Sequence, residues 1–330
     1  MAREFAANAA GVECGIDDAI HSEPTLAMFE AALARARAFG PDTVAGLGGG
    51  SALDVSKLVA ALLDGRQAVH EVIGIGLLRG RAARLICLPT TSGTGSEVSP
   101  NSILLDEAEG LKKGVISPFL VPDAAVIDPL LTVTMPPAVT AATGIDALAH
   151  CIEAFANRFA HPLVDTYAIE GIRRVGRFLE RAVRDGGDLE AREEMAVASM
   201  YGGLCLGPVN TAAAHALAYP LGSEFHVGHG VSIAVLLPHV LEFNLGAAPE
   251  RYAAIGEAFC GRAEGNALVQ RTRELSAACG IPSSLSKLGI TEKDIERMAE
   301  GALKITRLLK NNLREVTLED AKSVYFAALR

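Results

Sequence analysis

The sequence predicts an α/β half followed by an all-helical half, and three observations carry that reading. Apolar strand-like runs alternate with helical periods through the first third of the chain. A proline pair at Met135-Pro136-Pro137 then interrupts the pattern. From about Ala138 onward the segments are long, rich in Ala and Leu, and helical in period. The domain boundary is therefore placed at the proline pair, giving a domain over 1–135 and a second over 136–330.

The elements follow in order. EPTLAMFEAALARARAFG has a helical apolar period and ends at Gly40, a residue that readily caps a helix. DTVAGL reads as a short buried strand, and GGGSALDVSKLVAALL as a glycine turn that opens a helix. RLICLPT is a second buried strand; VSPNSILL and AAVIDP are strand-like too, which together predicts a mostly parallel sheet. Beyond the boundary, GIDALAHCIEAFANR, VDTYAIEGIRRVGRFLERAV, EEMAVASMYGGLCLG, AAAHALAYPLGSEF, TEKDIERMAEGALKI and LEDAKSVYFAALR all read as helices.

Composition excludes several function classes. The 330 residues are about two domains' worth at roughly 150 residues each. Half are hydrophobic and 21% charged, which excludes intrinsic disorder. Thirty basic against 39 acidic residues give −9, Trp is absent and aromatics are 5%, so nucleic acid is not expected as a partner. No uninterrupted apolar stretch approaches the ~18 residues of a membrane span, and MAREFAANAAGVECG lacks a signal-peptide layout. A soluble, acidic, cytoplasmic protein with no membrane partner is expected. The six cysteines, Cys14, Cys87, Cys151, Cys205, Cys260 and Cys279, form no CxxC pair and read as small hydrophobes held reduced.

Two loops follow predicted strands. Gly48-Gly49-Gly50-Ser51 precedes a helix, where glycines let backbone approach a phosphate and free N–H groups favour an anion. The pattern falls short of G-x-G-x-x-G and is no Walker A loop, so an ordinary strand-to-helix turn remains its plain alternative. Leu88-Pro89-Thr90-Thr91-Ser92-Gly93-Thr94-Gly95-Ser96-Glu97 is dense in hydroxyls. Two polar loops at the carboxyl ends of parallel strands are where an open α/β sheet holds a nucleotide. Ser92 lacks the leading Gly of a serine-hydrolase elbow.

In the helical half, Asp146 and His150 share one helix face at a four-residue spacing that can chelate a divalent ion. His215 and His229 each lie in an apolar segment, as does His226. One Asp with three His gives a shell of four, or three ligands and a spectator. Any one of these histidines, taken singly, reads as a satisfied core residue.

GLGGGSALDVSK, LPTTSGTGSEVSP, AATGIDALAHCIEAF, AHALAYPLGSEFHVGHGVSIAVLLPHVLEFN and the closing LLKNNLREVTLEDAKSVYFAAL together resemble the iron-containing (group III) alcohol dehydrogenases, from about Cys14 to Arg330. The resemblance implies a dehydroquinate-synthase-like fold, with a Rossmann-like α/β N-terminal half and an all-α C-terminal half. It implies metal ligands at Asp146, His150, His215 and His229. Cofactor contacts are implied at Gly48, Gly49, Gly50, Ser51, Asp54, Thr90, Thr91 and Thr94; ungapped counting adds Ser99, Asn101 and Lys112, with Lys113 as the alternative to Lys112. Where many relatives carry a second His four residues after the third ligand, this chain has Tyr219, and the alcohol proton leaves by Tyr219, His226 or solvent. Relatives open with a further strand–helix–strand, and Met1 falls near the end of its helix; the segment that separates NAD from NADP lies there.

The activity implied is a hydride transfer between a nicotinamide cofactor, NAD or NADP, and a small alcohol or aldehyde, assisted by Fe²⁺ with Zn²⁺ as competitor. A homodimer or higher homo-oligomer is expected. Alternatives are a maleylacetate reductase, a hydroxyacid–oxoacid transhydrogenase-like enzyme, or a truncated, non-catalytic remnant.

Overall fold

The structure is a computed structural model that describes residues 1–330. The chain divides into two compact units, Met1–Thr90 with Ser96–Ile127, and Thr91–Gly95 with Asp128–Arg330. The division thus falls ahead of Met135-Pro136-Pro137, and the middle of the hydroxyl-rich loop belongs to the second unit.

The first unit holds α1 (Ala2–Asn8), α2 (Leu26–Phe39), β1 (Thr43–Gly48), α3 (Gly50–Leu62), α4 (Val69–Val72), β2 (Gly74–Ile75), β3 (Arg84–Pro89), β4 (Asn101–Asp106), β5 (Leu111–Ile116) and β6 (Ala124–Ala125). Thr25 starts α2 by accepting the Met28 N–H, and Gly40 ends it in the left-handed region that glycine takes without steric cost. A parallel sheet runs in the order β1-β3-β6. A second runs β2-β5-β4, and its β4–β5 pair is antiparallel. That hairpin departs from the mostly parallel sheet expected. Its turn is set by the Asp106 carboxylate, which accepts the N–H groups of Ala108 and Glu109, and by Gly110 at φ 64°. The strand DTVAGL is less buried than expected: β1 is bonded on its β3 side alone, and Ala45 is exposed. α3 packs on both sheets, with Leu53 and Ala60 against Leu85 and Cys87, and Val55, Leu58 and Leu62 in a cluster with Phe29, Leu104 and Val115.

The second unit holds α5 (Pro137–Phe155), α6 (Pro162–Arg184), α7 (Leu189–Leu206), α8 (Ala213–Phe225), α9 (His229–Asn244), α10 (Pro249–Cys260), α11 (Gly265–Ala278), α12 (Ile295–Leu303), α13 (Thr306–Leu309) and α14 (Leu318–Ala328). Its only β-type pairing is an isolated bridge between Asn157 and Asn312. Pro137 sits at the first turn of α5, where its missing N–H costs nothing. From Gly144 to Phe155 every residue of α5 is buried, the polar face of Asp146, His150 and Glu153 included. α6, α7 and α9 surround it.

The helical run His229–Ala247 spans 19 residues at mean hydropathy 1.4, long and apolar enough to cross a membrane by length and composition. It is a core helix of this unit, packed against α5, α8, α11 and α14, with 56% of its apolar window buried inside the protein.

Candidate metal centre and cofactor loops

α5 supplies the floor of the centre. Asp146 and His150 lie one turn apart, and His215 from the first turn of α8 comes over them, its ring stacked on His150 with centroids 4.6 Å apart. His229 is the first residue of α9. It can reach the group because Gly230 beside it lies against α5: a Cβ there would come within 2.5 Å of the Ala142 carbonyl oxygen.

The polar atoms converge. Asp146 Oδ1 lies 3.4 Å from His215 Nε2, 3.6 Å from His229 Nε2 and 4.0 Å from His150 Nε2. Ligand atoms of Asp146, His150 and His215 all fall within 4.8 Å of one another. The side chains of Asp146, His150 and His215 are 2%, 7% and 6% exposed but His229 is 36% exposed, so the group opens to solvent on the His229 side.

Hydrogen bonding fixes how two of the imidazoles present themselves. His215 Nδ1 donates to the Glu153 carboxylate at 2.5 Å, and His150 Nδ1 donates to the Gly93 carbonyl at 3.2 Å. Each Nδ1 therefore carries a proton, which leaves Nε2, the nitrogen facing Asp146, as the one that can ligate. Asp146 Oδ1 and His215 Nε2 are buried without a hydrogen-bond partner. Buried polar atoms left so are costly unless something else satisfies them. One carboxylate and up to three imidazole nitrogens around those atoms fit a divalent transition metal.

The electrostatics match a cation site. Burial works to raise the Asp146 carboxyl, but the imidazoles of His150, His229 and His215 outweigh it and hold the group well below the usual carboxylate range. Burial pulls His215 down, but Glu153 and Asp146 together lift it to about 9.

Glu153 was not among the residues singled out from sequence. It is buried, and it also accepts the Ala214 N–H at 2.6 Å, so it ties the start of α8 to α5. Its place was legible: Asp146, His150 and Glu153 recur at helical spacing along one face of GIDALAHCIEAF.

The cofactor candidates separate into two kinds. Gly49 is the N-cap residue of α3 and no side chain caps that end, so the N–H groups beyond Gly49, from Gly50 and Ser51 onward, are offered to an anion. Thr90 donates its N–H to the Gly48 carbonyl at 2.9 Å, holding the two polar loops together. Thr91 and Thr94 belong to the short loop of the second unit. Asp54, Ser99 and Asn101 instead have inward partners. Lys57, wholly buried, donates to the Ser99 carbonyl at 2.9 Å, the Ser99 hydroxyl at 3.3 Å and the Asn101 carbonyl at 2.8 Å. Asp54 accepts from the Ser96 hydroxyl at 2.5 Å and the Ile103 N–H at 2.9 Å. Of these three residues, only the buried Asn101 Oδ1 is without a hydrogen-bond partner. Lys112 pairs with Glu23, and Lys113 with Glu109.

The two residues considered for proton transfer are differently placed. Tyr219 is half-buried on α8, one turn beyond His215. His226 is exposed and takes the left-handed conformation (φ 55°) that ends α8.

Comparison with known proteins shows the family. Residues 2–129 match the family described as iron-containing alcohol dehydrogenase, and residues 140–329 match the Fe-containing alcohol dehydrogenase family, C-terminal. The chain is 42% identical over 316 residues to long-chain-alcohol dehydrogenase 1 of Geobacillus thermodenitrificans, covering 93% of this chain and 80% of that protein. The crystal structure of a 1,3-propanediol oxidoreductase matches with a TM-score of 0.93 at 34% identity, over 97% of this chain and 85% of that one. A sulfoacetaldehyde reductase from Bifidobacterium kashiwanohense, solved in complex with NAD⁺, matches with a TM-score of 0.91 at 28% identity, over 99% of this chain and 86% of that one.

Proposed function

The chain belongs to the iron-containing alcohol dehydrogenase family of metal-dependent alcohol and aldehyde oxidoreductases, and from that premise we propose that it interconverts a small alcohol and its aldehyde with NAD or NADP, using Asp146, His150, His215 and His229 to hold Fe²⁺. The observation that carries this reading is the convergence of Asp146 Oδ1 and His215 Nε2, both buried and without hydrogen-bond partners. Zn²⁺ competes for the same ligands, since imidazole suits both ions.

A divalent cation bound there would supply Lewis-acid stabilisation of negative charge on the alcohol oxygen, and a nicotinamide would supply the hydride acceptor. The protein's part is to hold and to orient. Glu153 and the Gly93 carbonyl keep His215 and His150 in the tautomer that can ligate. Gly48, Gly49, Gly50 and Ser51 are assigned to the pyrophosphate, and Thr90, Thr91 and Thr94 to positioning the cofactor. Asp54, Ser99 and Asn101 brace the turns that follow those loops through Lys57, Ser96 and the Ile103 N–H, and Lys112 pairs with the exposed Glu23. The alcohol proton leaves past Tyr219 and the exposed His226 into solvent. The six free cysteines suit a cytoplasmic enzyme, and the unpaired edge of β1 suits assembly into a homodimer or higher homo-oligomer.

The test is direct. Metal-loaded protein should reduce NAD⁺ or NADP⁺ when given a primary alcohol. Gly49→Val, with a branched side chain against the pyrophosphate position, should weaken cofactor binding by about an order of magnitude or more while retaining the metal. Unchanged cofactor titration in that variant would reduce the loop to a turn.

A further inference from the structure

The Thr91–Gly95 segment belongs to the helical unit and is seated on it by backbone. Gly95 is in the left-handed region at φ 58°, and a Cβ there would lie 2.3 Å from Gly203 Cα on α7. A Cβ on Gly203 would in turn lie 2.3 Å from the Gly95 carbonyl oxygen, and one on Gly93 would lie 2.7 Å from Thr143 Cβ on α5. No real Cβ sits so close, so the loop and the two helices meet where side chains have been left out. The segment therefore touches α5 at Thr143 and, through the Gly93 carbonyl, at His150, straddling Asp146.

The two imidazoles are consequently held in different ways. His215 is fixed by Glu153, a side chain of α5 itself. His150 is fixed by a loop carbonyl, and that loop also carries Thr91 and Thr94. A shift of the loop would release the His150 Nδ1–H and with it the aim of Nε2. Ser92 Oγ in the loop and Ser199 Oγ on α7 are both buried without a partner, so no side-chain bond from either hydroxyl pins the loop in its seat.

We propose that the Thr91–Gly95 loop couples the cofactor site to the metal site, so that each ligand tightens the other through the Gly93 carbonyl and His150. This rests on the reading above that Thr91 and Thr94 contact the nicotinamide cofactor. A cofactor that orders the loop removes part of the ordering cost that the metal otherwise meets at His150, and thermodynamic linkage makes the effect reciprocal. Gly203 and Gly95 are positioning residues: they act by letting the loop lie close enough to reach His150.

The experiment is a pair of calorimetric titrations on the full chain. Zn²⁺ is titrated into metal-free protein with and without saturating NAD⁺ or NADP⁺, and the same cofactor is titrated into metal-free and Zn²⁺-loaded protein. Zn²⁺ affinity should rise about tenfold with cofactor present, and cofactor affinity should rise by the same factor with Zn²⁺ present, within the usual range for coupled sites. Two ligands that bind independently would overturn the coupling while leaving the functional reading intact. No binding of either nicotinamide cofactor would overturn the functional reading itself, and the coupling with it. In Gly203→Ala the ratio should collapse toward unity; a full tenfold ratio in that variant would mean that the ligands sense each other directly, against the loop route. If Gly203→Ala does not fold, hydrogen exchange at His150 Nδ1–H in Zn²⁺-loaded wild type decides: it should slow when cofactor is added, and an unchanged rate would refute the loop route.

Discussion

Each unit of the molecule buries a charged cluster, and the two are satisfied in opposite ways. In the first, the Lys57 ammonium donates to three oxygens of Ser99 and Asn101, and Asp54 accepts from Ser96 and Ile103. Burial nevertheless moves Asp54 up and Lys57 down, toward their neutral forms, although each pulls the other back. In the second, burial is outweighed: Asp146 is held in its charged form by His150, His229 and His215, yet its Oδ1 has no hydrogen-bond partner. A cluster whose donors and acceptors are matched by its own chain stabilises a fold; one that leaves lone pairs converging is built for something else. Burial and charge are common to both, and Asn101 Oδ1 in the first is unmatched too, so what sets the second apart is that two unmatched atoms, Asp146 Oδ1 and His215 Nε2, face each other.

The widest separation of the two clusters comes from deleting one member of each. His215→Ala should lose most of the roughly one divalent ion expected per chain, with the helical fold retained by circular dichroism. Lys57→Met should keep the ion in its folded fraction but unfold about 3–5 kcal/mol more easily, because Asp54 and two backbone carbonyls lose a buried cation. Metal analysis and urea unfolding on both variants check this. Stoichiometric metal in His215→Ala would remove it from the ligand set.

The contrast also explains what could be read in advance. Asp146 and His150 declared themselves by spacing, because one helix sets their geometry, and His215 and His229 by being polar in apolar runs. Glu153 was visible on the same helix face, but its meaning depends on His215, which arrives from another helix. The Gly93 carbonyl had no signal at all, since any residue carries one. In the first unit, Asp54 and Ser99 were named only through the family resemblance, whereas their partner Lys57, in the apolar run SALDVSKLVAALL, carried no signal of the bonds it makes. The β4–β5 hairpin escaped because LKKGVI alternates too weakly to announce a strand. DTVAGL looked fully buried because composition cannot show which strand is an edge.

A smaller effect sharpens the first cluster. Burial pushes the Glu97 carboxyl up to about 7, against its own backbone N–H and the Lys57 charge, which pull it down. The folded state thus keeps a proton that the unfolded chain releases from its ordinary value of 4.5 upward. The contribution is fully present below about pH 4.5 and is lost as pH rises through about 7, a change of order 3 kcal/mol if the whole shift is expressed. Glu97→Gln cannot titrate, so the stability of wild type relative to the variant should fall across that window. Urea unfolding of the metal-free proteins at its two ends measures the difference; a flat difference would show that Glu97 is not a proton store.

The smallest effect is expected at Tyr219, and it bears on how open the second cluster is. Tyr219→Phe removes one hydroxyl and little volume from a half-buried position one turn beyond His215, so fold and metal should survive. A positioned group that takes the alcohol proton contributes roughly 10²–10⁴-fold, and its loss would appear in kcat rather than KM. Against that, His229 is 36% exposed at the open side of the ligand group, so water reaches the centre without Tyr219. A cation held by Asp146 and the imidazoles would favour charge on the alcohol oxygen, so a proton released there would need no dedicated acceptor. We therefore expect kcat to fall by less than about tenfold, with the same pH profile as wild type. Turnover of a simple primary alcohol against pH, measured for both proteins, is the check. A loss of about a hundredfold or more in kcat with KM unchanged would make Tyr219 the proton acceptor, and would mean that solvent at the His229 side does not reach the reacting oxygen.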